Sequence, residues 1–299
     1  MNILSNIKHL FATNEEKSGI TDMLSLALKL ITKNNDDDAF EVEDDDAKMN
    51  IVLITDENYL IPTCVTLSSL LKTQPADTHI FVICDDLEGK LSHKFSEIDN
   101  PKKIEITTIQ SSNKYSELKT THPYISKAAL QKFSIPELIC KSKALYMDVD
   151  IVVKGSLSEL YSSNIDNLYA AVCEDLICKY EEKDNRRIGN PLYFNSGVML
   201  LNLKKMRKEK ITDKLIKCFK KDKRCKYMDQ DSFNRVFGKK VKYADIVYNY
   251  FPMYGKYIGK YKELYANQEP IVIHYAGEKP WKKADIALAD LWLNLYKEL

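Results

Sequence analysis

No stretch of this 299-residue chain approaches the roughly eighteen consecutive apolar residues that a membrane-spanning helix needs, so none is expected. The N-terminus also lacks an apolar signal segment followed by a small-residue cleavage site. The seven cysteines (64, 84, 140, 173, 178, 218 and 225) are odd in number and form no C-x-x-C pair. That argues against a disulfide framework or a zinc site and for reduced thiols. Together these absences predict a soluble protein of the cytoplasm. No G-x-G-x-x-G follows the first apolar run and no G-x-x-x-x-G-K-[ST] occurs anywhere. A dinucleotide fingerprint and a P-loop are therefore excluded.

Hydrophobic residues make up 44% of the chain and charged residues 29%, enough for a packed core. The length suits one large α/β domain or two small ones. The formal net charge of +1 is unevenly spread. Residues 1–48 carry five lysines against eleven acidic residues, which leaves the remainder at +7. Ile20, Leu24, Leu28 and Ile31 lie at helical spacing, and the acidic run NNDDDAFEVEDDDAK follows. This predicts an N-terminal helical extension and linker over 1–48, either a solvated tether or a partner-binding arm, and a main domain over 49–299.

From Asn50 the pattern changes. Ile51 to Ile54 is a continuous apolar run, as in a parallel strand buried on both faces. Leu60, Cys64, Leu67 and Leu71 predict a helix, His79 to Cys84 a second strand, Leu87, Leu91, Phe95 and Ile98 a second helix, and Ile104 to Ile109 a third strand. This alternation predicts βαβ units and a mainly parallel central sheet flanked by helices. Ligands in such sheets bind beyond the carboxyl ends of the strands.

One such end organises the chain. Ala144 to Met147 reads as a buried strand that stops at Asp148-Val149-Asp150. Residues i and i+2 of an extended backbone point the same way, so Asp148 and Asp150 can converge while Val149 turns inward. Two carboxylate oxygens at one point suit Mn²⁺ or Mg²⁺. A solvated acidic turn would read the same way. Ser126 to Cys140 predicts a helix that leads into this strand. Lys132 on it could reach the site, although it reads more simply as a surface lysine. Asn195-Ser196-Gly197 precedes the apolar run Val198 to Leu201 and could admit a ligand to the backbone or form a turn.

Lys204 to Lys226 holds twelve Lys or Arg among 23 residues. Ile211, Leu215 and Phe219 give it an apolar face, so the charge covers an outer face. That face could meet anionic lipid at the inner membrane surface, or simply be solvated. Interspersed aromatics are missing, so no nucleic-acid partner is expected. Asp229 and Asp231 sit in a first helical turn, which the macrodipole alone would explain. His274 ends the apolar run from Pro270, close to Gly277 and Lys279. It could be a metal ligand beside a phosphate-binding amine, or a structural histidine.

In chain order, NIVLITDENY, KFSIPELI, ALYMDVD, FNSGVMLLNL, DQDSFN and HYAGEKPW resemble the retaining glycosyltransferases of family 8, over roughly Asn50 to Trp281. The resemblance implies a GT-A fold of Rossmann-like nucleotide-sugar-binding type, a UDP-sugar donor (UDP-glucose or UDP-galactose), a glycan acceptor such as lipopolysaccharide, and Mn²⁺. It implies Asp148, Asp150 and His274 as metal ligands. Asp56, Asn58 and Tyr59 would hold the uridine, Gly277 and Lys279 the diphosphate, and Val149 a place in the donor site. Asn195, Asp229 and Gln230 would face the transferred sugar, with Asp175 near its meeting with the acceptor. Asp175, Asp229 and Gln230 are thus the catalytic candidates. Lys132 stands where relatives usually carry an Arg, which keeps the charge and loses the bidentate fork. The rival readings are a Mg²⁺-dependent nucleotidyltransferase, which has no use for His274, and a sugar-nucleotide-binding scaffold without turnover.

Overall fold

The computed structural model describes residues 49–86, 88–111, 127–176, 192–221, 227–252, 269–283 and 285–299. The extension read over 1–48, the loop after Leu176 and Leu87 lie outside them. The expected alternation forms as follows. Strand β1 (Met49–Ile54) leads through a short 3₁₀ turn into helix α1 (Leu60–Thr73). Then come β2 (Thr78–Cys84), α2 (Lys90–Ser96), β3 (Glu105–Gln110) and β4 (Lys143–Met147). The later strands are β5 (Ile151–Val153), β6 (Ala170–Glu174), β7 (Phe194–Asn202), β8 (Val241–Tyr243) and β9 (Val272–His274).

Seven strands form one sheet in the order β3-β2-β1-β4-β7-β6-β8. The first four are mutually parallel, β7 runs antiparallel to both β4 and β6, and β8 is parallel to β6. The sheet is thus mixed, with its parallel half as expected. Alternate residues feed opposite faces, the consequence of the two-residue strand period. Ile51, Leu53, Leu145 and Met147 pack with Leu67, Leu70 and Leu71 of α1. Val52, Ile54, Ala144 and Tyr146 pack on the other face with Leu130, Phe133, Phe233 and Phe237. The result is two apolar layers around one sheet, covered by helices.

Two expectations change. The segment expected as one helix over 126–140 is a 3₁₀ helix, Lys127–Ser134, followed by a short α-helix, Ile135–Leu138, with Pro136 in its first turn. Proline fits a first turn, where no backbone donor is needed, and not a helix interior. The basic stretch divides into α-helices Leu203–Lys208 and Ile211–Lys221. Most of its charges are exposed, but Arg207 turns inward and donates to the carbonyls of Pro136, Ile139 and Lys141 at 2.8–3.0 Å.

Candidate active site

The reversal at β7 positions the site. Because β7 is antiparallel to β4, its beginning lies beside the end of β4, and Asp148 N–H donates to Gly197 O at 2.8 Å. Asn195-Ser196-Gly197 is therefore the first part of the strand and not a turn before it. The register between β6 and β7 slips there, from Val172 opposite Met199 to Cys173 opposite Asn195. A bulge of this kind re-aims side chains next to sites. A small second sheet, β5 with β9 antiparallel, sets Ile151 opposite His274. Asp148 to Asp150 spans the gap between the two sheets as a bend and not as extended strand, so the carboxylates converge by a bend at Val149. Val149 is buried in the core as expected. Its carbonyl and that of Ile151 accept from Thr66 of α1 at 3.0 and 2.8 Å.

These elements enclose a cavity of about 290 Å³. Its walls include Asp56, Tyr59, Lys132, Asp148, Val149, Asp150, Asn195, Asp229, Gln230, His274 and Lys279. Fourteen candidate positions scattered over more than two hundred residues thus mostly meet in one place. Three sit apart from the wall. Asn58 is exposed, its N–H closing a turn onto Asp56 at 3.0 Å. Gly277 is exposed with φ 88°, a left-handed conformation that suits glycine. Asp175 is buried behind Gln230, whose amide donates to it at 3.0 Å.

The two carboxylates divide their oxygens alike. Asp148 Oδ1 accepts from the Tyr146 hydroxyl and pairs with Lys132 at 3.1 Å, while Oδ2 lies 3.7 Å from His274 Nε2. Asp150 Oδ2 pairs with Lys279, while Oδ1 lies 3.1 Å from His274 Nε2. One oxygen of each carboxylate therefore faces the imidazole, and the three ligand atoms lie within 4.8 Å of one another. Burial would raise the Asp150 carboxyl, but the Lys279 ammonium beside it holds it well below the usual carboxylate range. Lys132 is buried, 2.9 Å from Asp229 as well, so it is not a surface lysine. Burial would lower its ammonium, yet Asp148 and Asp229 hold it above the usual lysine value. Burial likewise pushes the Tyr146 phenol well up, with Asp148 adding to it.

The donor set fits a divalent cation. Two oxygens and one imidazole nitrogen suit Mn²⁺, whereas Mg²⁺ prefers oxygen throughout. Lys132 and Lys279 stand against Asp148, Asp150 and Asp229, which leaves one negative charge in excess. A divalent cation would turn that cluster positive, as a diphosphate requires.

Amides line the opposite side. Gln230 Oε1 accepts from Ser196 N–H at 3.1 Å and from Asn195 Nδ2 at 2.9 Å. Asn195 Oδ1 accepts from Gly197 N–H at 2.8 Å and from Asn249 Nδ2 at 3.0 Å. Asn249 Oδ1 in turn lies 2.8 Å from His274 Nδ1. Ser196 Oγ donates to Asp229 at 3.0 Å. Gly197 has no room for a side chain: a Cβ would stand 2.3 Å from His274 Cε1 and 2.7 Å from Asp148 Oδ2. Sequence reasoning missed Asn249, Tyr146 and Thr66. Tyr146 alone carried a signal, since it lies two residues before Asp148 on the same face.

Comparisons with known proteins point to one family. The family model "Glycosyl transferase family 8" matches residues 50–285. A Haemophilus influenzae protein provisionally named a glycosyltransferase is 32% identical over 79% of this chain and 73% of its own. Lipopolysaccharide 1,2-glucosyltransferase of Escherichia coli is 28% identical over 85% of this chain and 79% of its own. The crystal structure of galactosyltransferase LgtC with donor and acceptor sugar analogues is similar at a TM-score of 0.74. It is 25% identical, over 84% of this chain and 96% of that one. The chain, with its GT-A-like fold and its Asp148–Asp150 motif, belongs to glycosyltransferase family 8.

Proposed function

We propose that this glycosyltransferase moves a hexose, glucose or galactose, from a UDP-sugar to a hydroxyl of a glycan acceptor, with retention at the anomeric carbon. The observation that carries the reading is the meeting of Asp148, Asp150 and His274 between two lysines, Lys132 buried and Lys279 half-buried. The relatives are named for glucosyl transfer to lipopolysaccharide and for galactosyl transfer, which supports the hexose and the saccharide acceptor. Asp148, Asp150 and His274 would hold Mn²⁺, with Mg²⁺ as the alternative. When bound, that cation supplies Lewis-acid stabilisation of the leaving diphosphate. Lys279 and Lys132 add fixed positive charge where the diphosphate charge develops. Asp56, Asn58 and Tyr59 bind the uridine, and Gly277 lets the backbone approach the diphosphate.

Retention requires either a nucleophile beneath the anomeric carbon or attack from the leaving-group face. An amide is a weak nucleophile, and the Gln230 carbonyl already accepts two hydrogen bonds. Asp175 is withdrawn behind Gln230. Both observations favour front-face transfer through a short-lived ion pair, in which a diphosphate oxygen takes the acceptor proton. No helix of the described residues is long and apolar enough to cross a membrane. We assign the protein to the cytoplasm, with the basic stretch 204–226, whose described lysines are mostly exposed, as a contact for the anionic inner face of the membrane.

The test is a screen of UDP-glucose, UDP-galactose and UDP-N-acetylglucosamine for binding and for sugar release to water, with Mn²⁺ and with chelator. Release of one hexose that stops with chelator is the expected result. Binding without release would favour a scaffold, and neither binding nor release would sink the donor assignment.

A further inference from the structure

The orientations of the buried amides follow from one fixed point. Gly197 N–H can only donate, so the Asn195 atom 2.8 Å from it is the carbonyl oxygen. That oxygen also faces Asn249, which must therefore present its NH₂ at 3.0 Å. The other end of Asn249 is then its carbonyl, 2.8 Å from His274 Nδ1, and a carbonyl can only accept. His274 Nδ1 must carry a proton. On the other side, Asn195 donates its own NH₂ to Gln230 Oε1 at 2.9 Å. Gln230 Oε1 is independently fixed as an acceptor by Ser196 N–H, so its NH₂ is the group that donates to Asp175 at 3.0 Å. Every donor in the series His274, Asn249, Asn195, Gln230 points the same way, towards the Asp175 carboxylate.

We propose that Asn249 is a positioning residue that keeps the proton of His274 on Nδ1 and so turns the Nε2 lone pair towards Asp148 and Asp150. It acts as the first link of this one-way chain. The inference rests on the reading of Asp148, Asp150 and His274 as a cation site. Metal-bound histidines commonly donate their second ring N–H to a carbonyl or carboxylate, which fixes the tautomer and aims the ring. Asn249 does both. Its side chain is almost wholly buried, it lies 25 residues before His274, and its second bond locks it to the β7 bulge. The Phe251 ring, edge-on to the imidazole with centroids 5.0 Å apart, limits rotation of the imidazole. The chain also ties the cation site to Asp175, because a flip of any one amide would set two donors or two acceptors against each other.

The test compares Asn249→Ala with Asn249→Asp and with the parent protein. Calorimetric titration of the full chain with Mn²⁺ should show Asn249→Ala weakened about 10–100-fold, the usual cost of losing such a partner. Asn249→Asp keeps an acceptor for Nδ1–H, although its second oxygen then faces Asn195 Oδ1, and it should bind more tightly than Asn249→Ala. A residue that merely fills space would lower the melting temperature in both variants without separating their affinities. Equal weakening of the two, or no weakening in Asn249→Ala, overturns the proposal. Nitrogen-15 NMR of histidine-labelled parent protein decides it even if a variant does not fold. The His274 signal, identified by its loss in His274→Gln, should show Nδ1 protonated both without metal and with Zn²⁺ as a diamagnetic probe. An unprotonated Nδ1 in either state overturns it. A protonated Nδ1 in a protein that binds no divalent cation would instead overturn the cation site and leave Nδ1–H standing.

Discussion

Single residues decide how tightly this site is built. Gly197 is needed for its missing side chain and not for its backbone angles. Gly197→Ala forces a methyl group into His274 and Asp148, both buried or half-buried. Overpacking of this kind costs about 1–3 kcal/mol. Because the atoms displaced are the ligands, cation affinity should fall further than the melting temperature suggests. Wild-type Mn²⁺ affinity in a folded Gly197→Ala protein would contradict the site. Lys132 tells a related story. As a supposed surface lysine its loss would be neutral. Buried between Asp148 and Asp229, it balances two carboxylates, and Lys132→Ala should destabilise the protein by about 3–5 kcal/mol. Lys132→Arg retains the charge, and the outcome depends on room for the fork beside the Tyr146 ring, 5.0 Å from the ammonium. Denaturation of the three proteins side by side checks it, and a fully stable Lys132→Ala would refute the buried pairing. Neither position was readable from its own neighbours in sequence. The burial of Lys132 depends on partners 16 and 97 residues away, which only the fold brings to it.

At the level of elements, the apolar runs made the parallel strands readable. Ile51–Ile54 and His79–Cys84 differ from helix by length and β-branching, Ala144–Met147 by length alone, and each forms where expected. Strand direction was not readable, because an apolar run has the same composition whichever way it lies. Hence the reversal of β7, which delivers Asn195 to Gly197 to the site, emerged only from the register. The helix pair at 203–221 holds one pH-sensitive contact. Glu209 accepts from the Tyr169 hydroxyl and pairs with Lys205 at 2.7 Å. The hydrogen bonds from Lys205 and Tyr169 hold its carboxyl down to about 2. An unfolded glutamate titrates near about 4.3. The folded value is the lower one, so the contribution is complete above about pH 4.3 and disappears as pH falls through about 2. Glu209→Gln should therefore melt slightly lower than the parent at neutral pH and identically near pH 2. A difference that stayed constant from neutral to acid would reject this pairing.

For the whole molecule, six short motifs in order were enough to name the family: four lie at strand ends, KFSIPELI and DQDSFN lie on helices, and each sends at least one residue to the same cavity. What they could not supply was the support behind them: Thr66 and Asn249 belong to no motif, and only the fold brings them near. The described residues begin with β1 at Met49, which is already buried. We expect a chain starting at Met49 to fold and to release sugar from its UDP-sugar at the parent rate. Unfolding, or loss of that hydrolysis, would show that residues 1–48 belong to the working enzyme. The pairing of β5 with β9 adds a constraint in time. Asp150 and Lys279 are 129 residues apart, and a ribosome adding about 5–20 residues per second needs about 6–26 seconds to make that interval. Until then a growing chain can assemble β1 to β4 and present Asp148 and Asp150, but it has neither His274 nor Lys279 to face them. On the proposed reading of the site, cation binding, and any premature attack on the cell's sugar nucleotides, would thereby be withheld from every unfinished copy.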